Sequence, residues 1–365
     1  MKEIISKKYL QWNWRLAFLI FIVQPFFLHA QTGVPVHILN QLSVLKLENR
    51  LDSAIGILDK YIESPDCQRD QKKFFEARTL KADYYRMNGQ NTKAQALIDS
   101  LTVSFPEICT SNDPLAGKYY VIQGTLKLVG GELEEGRQAI AKAQEIFRLK
   151  YGDDDTLLCP CYNKLGNYYY FTKQFDSAMY CYSRALELNE KKTDCMEDQA
   201  SYLQNKAIVY LEQKDIGNAE FHFLKSLKIK ESILAKNSYS LGRLYLNLSR
   251  FYHEVSAFDK ALFYIERAEI IFNKTGSDLP FELGVVYWNK GLVHLLMEET
   301  DAAITYLHSA KQIIDSVYSD RQQLLASLNA DLGYAYSKKG KIDKAIMYYN
   351  AALENADPQL KTKIF

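Results

Sequence analysis

Glycine and proline are scarce in this chain, at 17 and 8 of 365 residues. That removes most of the turn punctuation an all-β protein needs. Neither sign of charge dominates, with 45 basic against 44 acidic side chains and no basic stripe. A nucleic-acid partner therefore has no electrostatic support. Phosphate-cradling glycine loops, His-Glu-x-x-His, Gly-x-Ser-x-Gly and paired Cys-x2-Cys motifs are all missing. The six histidines (His29, His37, His222, His253, His294, His308) are scattered, and none has a second ligand at metal spacing. The many carboxylates fall on polar helix faces, where a solvated charge is the default. No catalytic residue, metal or cofactor is nominated, and the chain is expected not to be an enzyme. What is abundant is apolar side chain, 47% of residues, with 26 tyrosines among them. Such a chain can bury a large core.

Only one apolar run is long, Leu16 to Leu28, and its 13 residues fall short of the roughly 20 that a spanning helix needs. Basic Lys2, Lys7, Lys8 and Arg15 precede it, and Leu28-His29-Ala30 is followed by polar Gln31-Thr32. This order is that of a secretory signal peptide. Residues 1–30 are expected to be removed after Ala30, and the protein to reach the periplasm, cell surface or exterior. The alternative is an uncleaved signal anchor extended through Trp12 and Trp14, the one route by which the chain would meet a membrane.

Repetition dominates the rest. Asp176-Ser-Ala178-Met-Tyr-Cys-Tyr182-Ser-Arg-Ala185 sets a small, large, small rhythm. It returns at Ala219/Phe223/Ser226, Ala261/Ile265/Ala268, Ala303/Leu307/Ala310 and Ala345/Tyr349/Ala352. Upstream it recurs at Gly136/Ile140/Ala143, Ala94/Ile98/Leu101 and Ala54/Leu58/Tyr61, with a step of 40 to 42 residues throughout. Twelve residues before each of the last seven second-helix small sites stands another small residue: Ala82, Gly124, Gly166, Ala207, Ser249, Gly291 or Gly333. Three residues further on comes Tyr85, Tyr169, Tyr210, Tyr252 or Tyr336, with Lys127 and His294 as exceptions. Spacings of three, four and seven lie on one helical stripe. Glycine or alanine lets two antiparallel helices approach, and the large residues fill the space beside the crossing. Polar breaks such as Asn88-Gly89-Gln90, Gly130-Gly131 and Lys339-Gly340-Lys341 separate the halves. Each unit is thus a helical hairpin whose apolar face only a neighbour can bury.

Leu-Gly-x2-Tyr followed by Ala-x3-Phe/Tyr resembles the tetratricopeptide repeat, over about residues 35–357. The period exceeds that family's 34 residues by about one helical turn per helix and resembles the longer units of kinesin light chain and of exported bacterial arrays. Armadillo and HEAT repeats share the length but lack the paired motif. The resemblance implies an all-α solenoid of about eight hairpins in a right-handed superhelix. After the signal peptide, the array at 31–365 divides into units near 35–74, 75–116, 117–158, 159–199, 200–241, 242–283, 284–325 and 326–365. Residues 357–365 resemble the start of one more first helix.

Cys159-Pro160-Cys161 opens one first helix, and Cys195 follows the second helix of the same unit. Antiparallel packing brings those ends together, so a disulfide from Cys195 to Cys159 or Cys161 competes with six reduced fillers. Cys67 and Cys109 lie one period apart in equivalent loops, a long reach for a bridge.

The candidate site is a ladder. Asn205, Asn247 and Asn289 stand two residues before the small site, Asp331 follows in the next unit, and Asn163 precedes them, displaced by one. In the arrays resembled, that position faces a concave groove and contacts peptide backbone. Arg243, Arg250, Trp288 and Leu292 share the face, with Ile208, Leu211 and Leu295 near it. Amides suit an extended backbone, arginines carboxylates, and tryptophan an apolar anchor. The expected function is a scaffold that receives a peptide or partner protein in this groove. The alternative is the sensing or docking half of a larger regulator or protease-like protein. The heptad coiled coil of kinesin light chain is missing, so its motor partners do not carry over.

Overall fold

The computed structural model describes residues 33–48, 50–190, 196–234, 236, 238–274, 280–317 and 322–355. Among them there are eighteen helices and no strand. They form an all-α solenoid of hairpins. Contacts divide these residues into two compact units, 33–234 and 236–355.

The first unit holds five hairpins. They are α1 (Val36–Leu47) with α2 (Leu51–Ile62), α4 (Gln71–Met87) with α5 (Asn91–Ser104), α7 (Pro114–Val129) with α8 (Leu133–Tyr151), α9 (Leu158–Phe171) with α10 (Phe175–Asn189), and α11 (Met196–Glu212) with α12 (Ile216–Ile233). The single-turn helices α3 (Pro65–Gln68) and α6 (Pro106–Cys109) sit in the first two connections, each opened by a proline. Proline suits that position because its missing N–H has no helical partner to lose. The second unit holds α13 (Tyr239–Glu254) with α14 (Phe258–Lys274), α15 (Pro280–Leu296) with α16 (Thr300–Val317), and α17 (Gln322–Lys338) with α18 (Ile342–Asn355). From the second hairpin on, each first helix packs chiefly on its own second helix.

The small residues sit where the helices cross. A Cβ added at Gly124 would lie 2.8 Å from the Gly136 carbonyl oxygen, and one at Gly136 would lie 2.9 Å from the Gly124 oxygen. Backbone meets backbone there, so even a methyl group must push α7 and α8 apart. At Gly166 the tight neighbour is the ring of Tyr182, whose hydroxyl donates to Asn167 Oδ1 at 2.8 Å. Tyrosine beside glycine is therefore one packing unit, as the motif requires. Beside the crossings, first-helix rings stack on second-helix rings twelve residues later. The pairs are Tyr252 on Tyr264, His294 on Tyr306 and Tyr336 on Tyr348, with centroids 5.5, 5.2 and 5.5 Å apart.

The hairpin turns repeat with the same fidelity. Gly89, Gly131, Lys173, Lys214, Ser256, Glu298 and Gly340 all take a left-handed φ between 60° and 86°. After each, the next N–H donates to the carbonyl five residues back, which belongs to the tyrosine-site residue: Gln90 to Tyr85, Glu132 to Lys127, Lys341 to Tyr336. This is a Schellman ending, whose left-handed residue is normally glycine because a Cβ crowds the backbone there. Four turns carry a side chain instead. Lys214→Gly or Glu298→Gly should each raise stability by about 0.5–1 kcal/mol, read as a higher urea midpoint with unchanged m-value. Gly131→Ala should shift the midpoint the other way.

Candidate interaction face

The sequence places a ladder on the first helices, and the structure shows what that ladder touches. Asn205 Nδ2 donates to Asn163 Oδ1 at 2.8 Å. These residues are 42 apart, although Asn163 stands three residues before its small site and Asn205 two. The one-residue displacement noted in the sequence is therefore the geometry of the junction. A side chain at minus three in one hairpin meets the side chain at minus two in the next. The second unit repeats the arrangement: Trp288, at minus three, donates from Nε1 to Asp331 Oδ2 at 2.7 Å.

These side chains are interior ones. Asn205, Asn247, Asn289, Asp331 and Asn163 are all buried. Trp288 and Leu292 are buried as well, together with Ile208, Leu211 and Leu295. The expectation that Trp288 and Leu292 stand open to a ligand is corrected by this burial: they fill space between helices, as bulky apolar groups in a solenoid core must. Arg243 and Arg250 are likewise buried. The Arg243 guanidinium lies 5.8 Å from the Tyr239 ring centroid, and Arg250 Nη2 lies 3.2 Å from Glu254 Oε1. Tyr239 in turn donates to Glu282 Oε1 at 2.5 Å. In each unit the first helices are thus polar and internally tied, with one amide group left over. Asn163 Nδ2 and Asn247 Nδ2 are buried and find no acceptor among the described residues.

Several groups escaped the sequence. Glu76 is buried, accepts from the Gly33 N–H at 2.5 Å and pairs with Lys118 Nζ at 2.6 Å. Its partner is one period away, a signal present in the 42-residue spacing. Asp83 and Arg86 form a buried pair within α4. His253 is buried beside Arg250, and the loss of solvent, then the neighbouring cation, push its pKa down to about 3. It is a neutral packing group. His294 stacks on Tyr306 and shares a 2.6 Å hydrogen bond with Glu299, as a packed histidine does.

Cys67, Cys109, Cys161 and Cys181 are buried thiols in no disulfide, and Cys159 is buried too. Cys195 lies outside the described residues, as do residues 1–32 and 356–365, so the disulfide and the end segments stay expectations. Burial raises the Cys67, Cys109 and Cys161 thiols and pushes Cys181 up to about 12. A thiol held protonated is a poor nucleophile. Among the described residues, no three His, Cys, Asp or Glu side chains could hold a metal ion, and no helix is long and apolar enough to cross a membrane.

A search of curated proteins finds no match. Solved structures match the fold. BtubC (BKLC) from P. vanneervenii is 19% identical with a TM-score of 0.53, over 63% of this chain and 91% of that one. Cut9–Hcn1 of the APC/C is 13% identical with a TM-score of 0.66, over 90% of this chain and 54% of that one. Aspartyl phosphate phosphatase F from Bacillus subtilis is 14% identical with a TM-score of 0.52, over 91% and 95%. At these identities the likeness speaks to fold alone. One tetratricopeptide-repeat model matches residues 120–191 and 282–357, and a second matches 200–233. These stretches carry the Leu-Gly-x2-Tyr and Ala-x3-Phe/Tyr motifs at the helix crossings described above, and the chain is a tetratricopeptide-repeat protein.

Proposed function

We propose that this protein is a non-catalytic scaffold that binds a peptide or partner protein along the first helices of its hairpins. The observation that supports this most is that the first helices of each unit carry a buried amide donor without an acceptor, Asn163 Nδ2 in 33–234 and Asn247 Nδ2 in 236–355. A buried donor without an acceptor costs about 1–3 kcal/mol, which a carbonyl of an extended peptide would recover. The ligand would add backbone acceptors to a strip that already pairs amide with amide. Asn247→Ala removes one buried, unsatisfied donor, so melting should hold or rise. A partner recovered from the native host, or a peptide selected from an array, should bind the variant about five- to tenfold more weakly. Equal affinity for Asn247→Ala would remove the face from consideration.

The same proposal places the protein outside the cytoplasm. Gly33, just beyond the expected cleavage point, is already tied down: its N–H reaches Glu76 and its carbonyl accepts from Tyr61. Val34 is buried. A mature chain starting at Gln31 would keep every one of these contacts. Amino-terminal sequencing from the native host should read Gln-Thr-Gly-Val; an intact Met1 would mean an anchor instead.

A further inference from the structure

Lysine stands one residue before the small site of the first helix in three hairpins, as Lys81, Lys206 and Lys290. Two of the three are paired. Lys81 meets Asp59 and Lys290 meets Glu269, each carboxylate supplied by the second helix of the preceding hairpin. Those carboxylates stand five and eight residues after the small sites Ala54 and Ala261. Lys290 also lies over the ring of Tyr306 in its own second helix, 5.4 Å from the centroid. A lysine at this position is therefore aimed between two second helices, its own and the one before it.

In the fifth hairpin the same place is built without the carboxylate. The preceding second helix, α10, offers Ser183 and Leu186 at the positions of Asp59 and Glu269. On the other side His222 of α12 takes the place of Tyr306, with the Tyr210 ring 5.0 Å from its own. The His222 Nδ1–H donates to the Asn218 carbonyl at 2.9 Å. Lys225 follows His222 along α12, and its charge acts on both His222 and Lys206. Asp215, the carboxylate that acts on His222, is engaged in capping α12 and accepts from the Asn218 N–H and side-chain amide. Among the described residues no carboxylate forms an ion pair with Lys206 or Lys225. Burial holds the Lys206 ammonium below the usual lysine range, and the Lys225 charge adds to the effect. Two like charges in a partly desolvated place oppose each other until an anion joins them.

We infer that Lys206 and Lys225 bind a phosphate group of a ligand, at the place where Leu186 stands instead of a carboxylate. Two ammonium groups match the charge of a phosphate dianion, and its oxygens accept from both. A single carboxylate would neutralise only one of them. Lys206 follows Asn205 directly, about 100° further around α11, so the site is separate from the ladder. It stands whether or not the first helices hold a peptide.

Isothermal titration calorimetry of the purified protein with inorganic phosphate, in chloride at fixed ionic strength, is the test. The expected result is saturable binding of one phosphate that chloride does not reproduce. Leu186→Glu installs the carboxylate that Lys290 already has, and should weaken phosphate binding by roughly tenfold or more without removing a cation. Lys206→Gln should weaken it as much, and at this half-buried polar position helicity should hold. Lys290→Gln should leave binding alone. Glycerol phosphate separates the sources: binding of both probes means a phosphoryl group carried on a larger ligand, and binding of inorganic phosphate alone means a free ion. Wild-type protein that gives no more heat with phosphate than with chloride would overturn the inference. So would folded Lys206→Gln or Leu186→Glu protein that binds phosphate as the parent does.

Discussion

Asp83→Ala is expected to lower the stability of the second hairpin by about 3–5 kcal/mol, because it strands a buried guanidinium. Arg86 Nε donates to Asp83 Oδ1 at 2.7 Å and Nη2 lies 2.5 Å from the same oxygen, with both side chains almost wholly enclosed. A pair this deep owes its worth to being complete: the cost of desolvating two charges offsets most of their attraction, and removing one leaves the cost alone. Surface pairs behave differently. Lys72 and Asp113 lie 2.6 Å apart with most of the lysine in water, and losing that pair should change stability by less than about 1 kcal/mol. The repeat supplies the rescue. Positions 83 and 86 correspond to Ile208 and Leu211 in the fifth hairpin and to Leu292 and Leu295 in the seventh, all buried. Asp83→Ile combined with Arg86→Leu should therefore recover the loss and match or exceed the parent. Urea unfolding followed by circular dichroism separates these outcomes. An Asp83→Ala midpoint within error of the parent would mean that water reaches the guanidinium.

The same comparison shows what sequence can and cannot carry. Hairpins were legible because a crossing needs a small residue at a fixed place, and Gly124, Gly166 and Ala207 recur there. The turns were legible where glycine marks them, at Gly89 and Gly340, and hidden where Lys214 or Glu298 takes the same backbone conformation. The candidate face was legible as a line of positions but not as an environment. A helical wheel gives the direction of Asn205 relative to its own axis, while its burial depends on how closely the next first helix approaches. The same holds for Asn163, whose partner became clear only when the 41-residue step between Gly166 and Ala207 was seen in three dimensions. Charge misleads for a related reason. Arg250 and Asp83 look like solvated groups in a sequence, yet each occupies a position that Ile208 and Leu292 fill elsewhere.

Trp288→Ala should destabilise the second unit by about 3–5 kcal/mol, the cost of emptying a large site in a packed core. Trp288 is completely enclosed and is the first among the largest fully buried side chains. The change also removes the indole N–H that Asp331 accepts, a charge-assisted bond worth more than a neutral one. Trp288→Phe separates the two effects: it keeps most of the apolar volume and loses the bond, so its cost should fall well below that of alanine. The loss concentrates at the junction between the seventh and eighth hairpins. In a solenoid, stability is a sum of hairpin terms and nearest-neighbour terms, so a weakened junction uncouples what lies beyond it. Unfolding of Trp288→Ala should accordingly split, with α17 and α18 melting before the hairpins that precede them. Hydrogen exchange resolved by peptide mass would read this directly, as early loss of protection in residues 322–355 with 238–274 and 280–296 still protected. A ligand anchor would behave otherwise: Trp288→Ala would then leave exchange and melting unchanged and weaken only partner capture, and that outcome would return Trp288 to the surface.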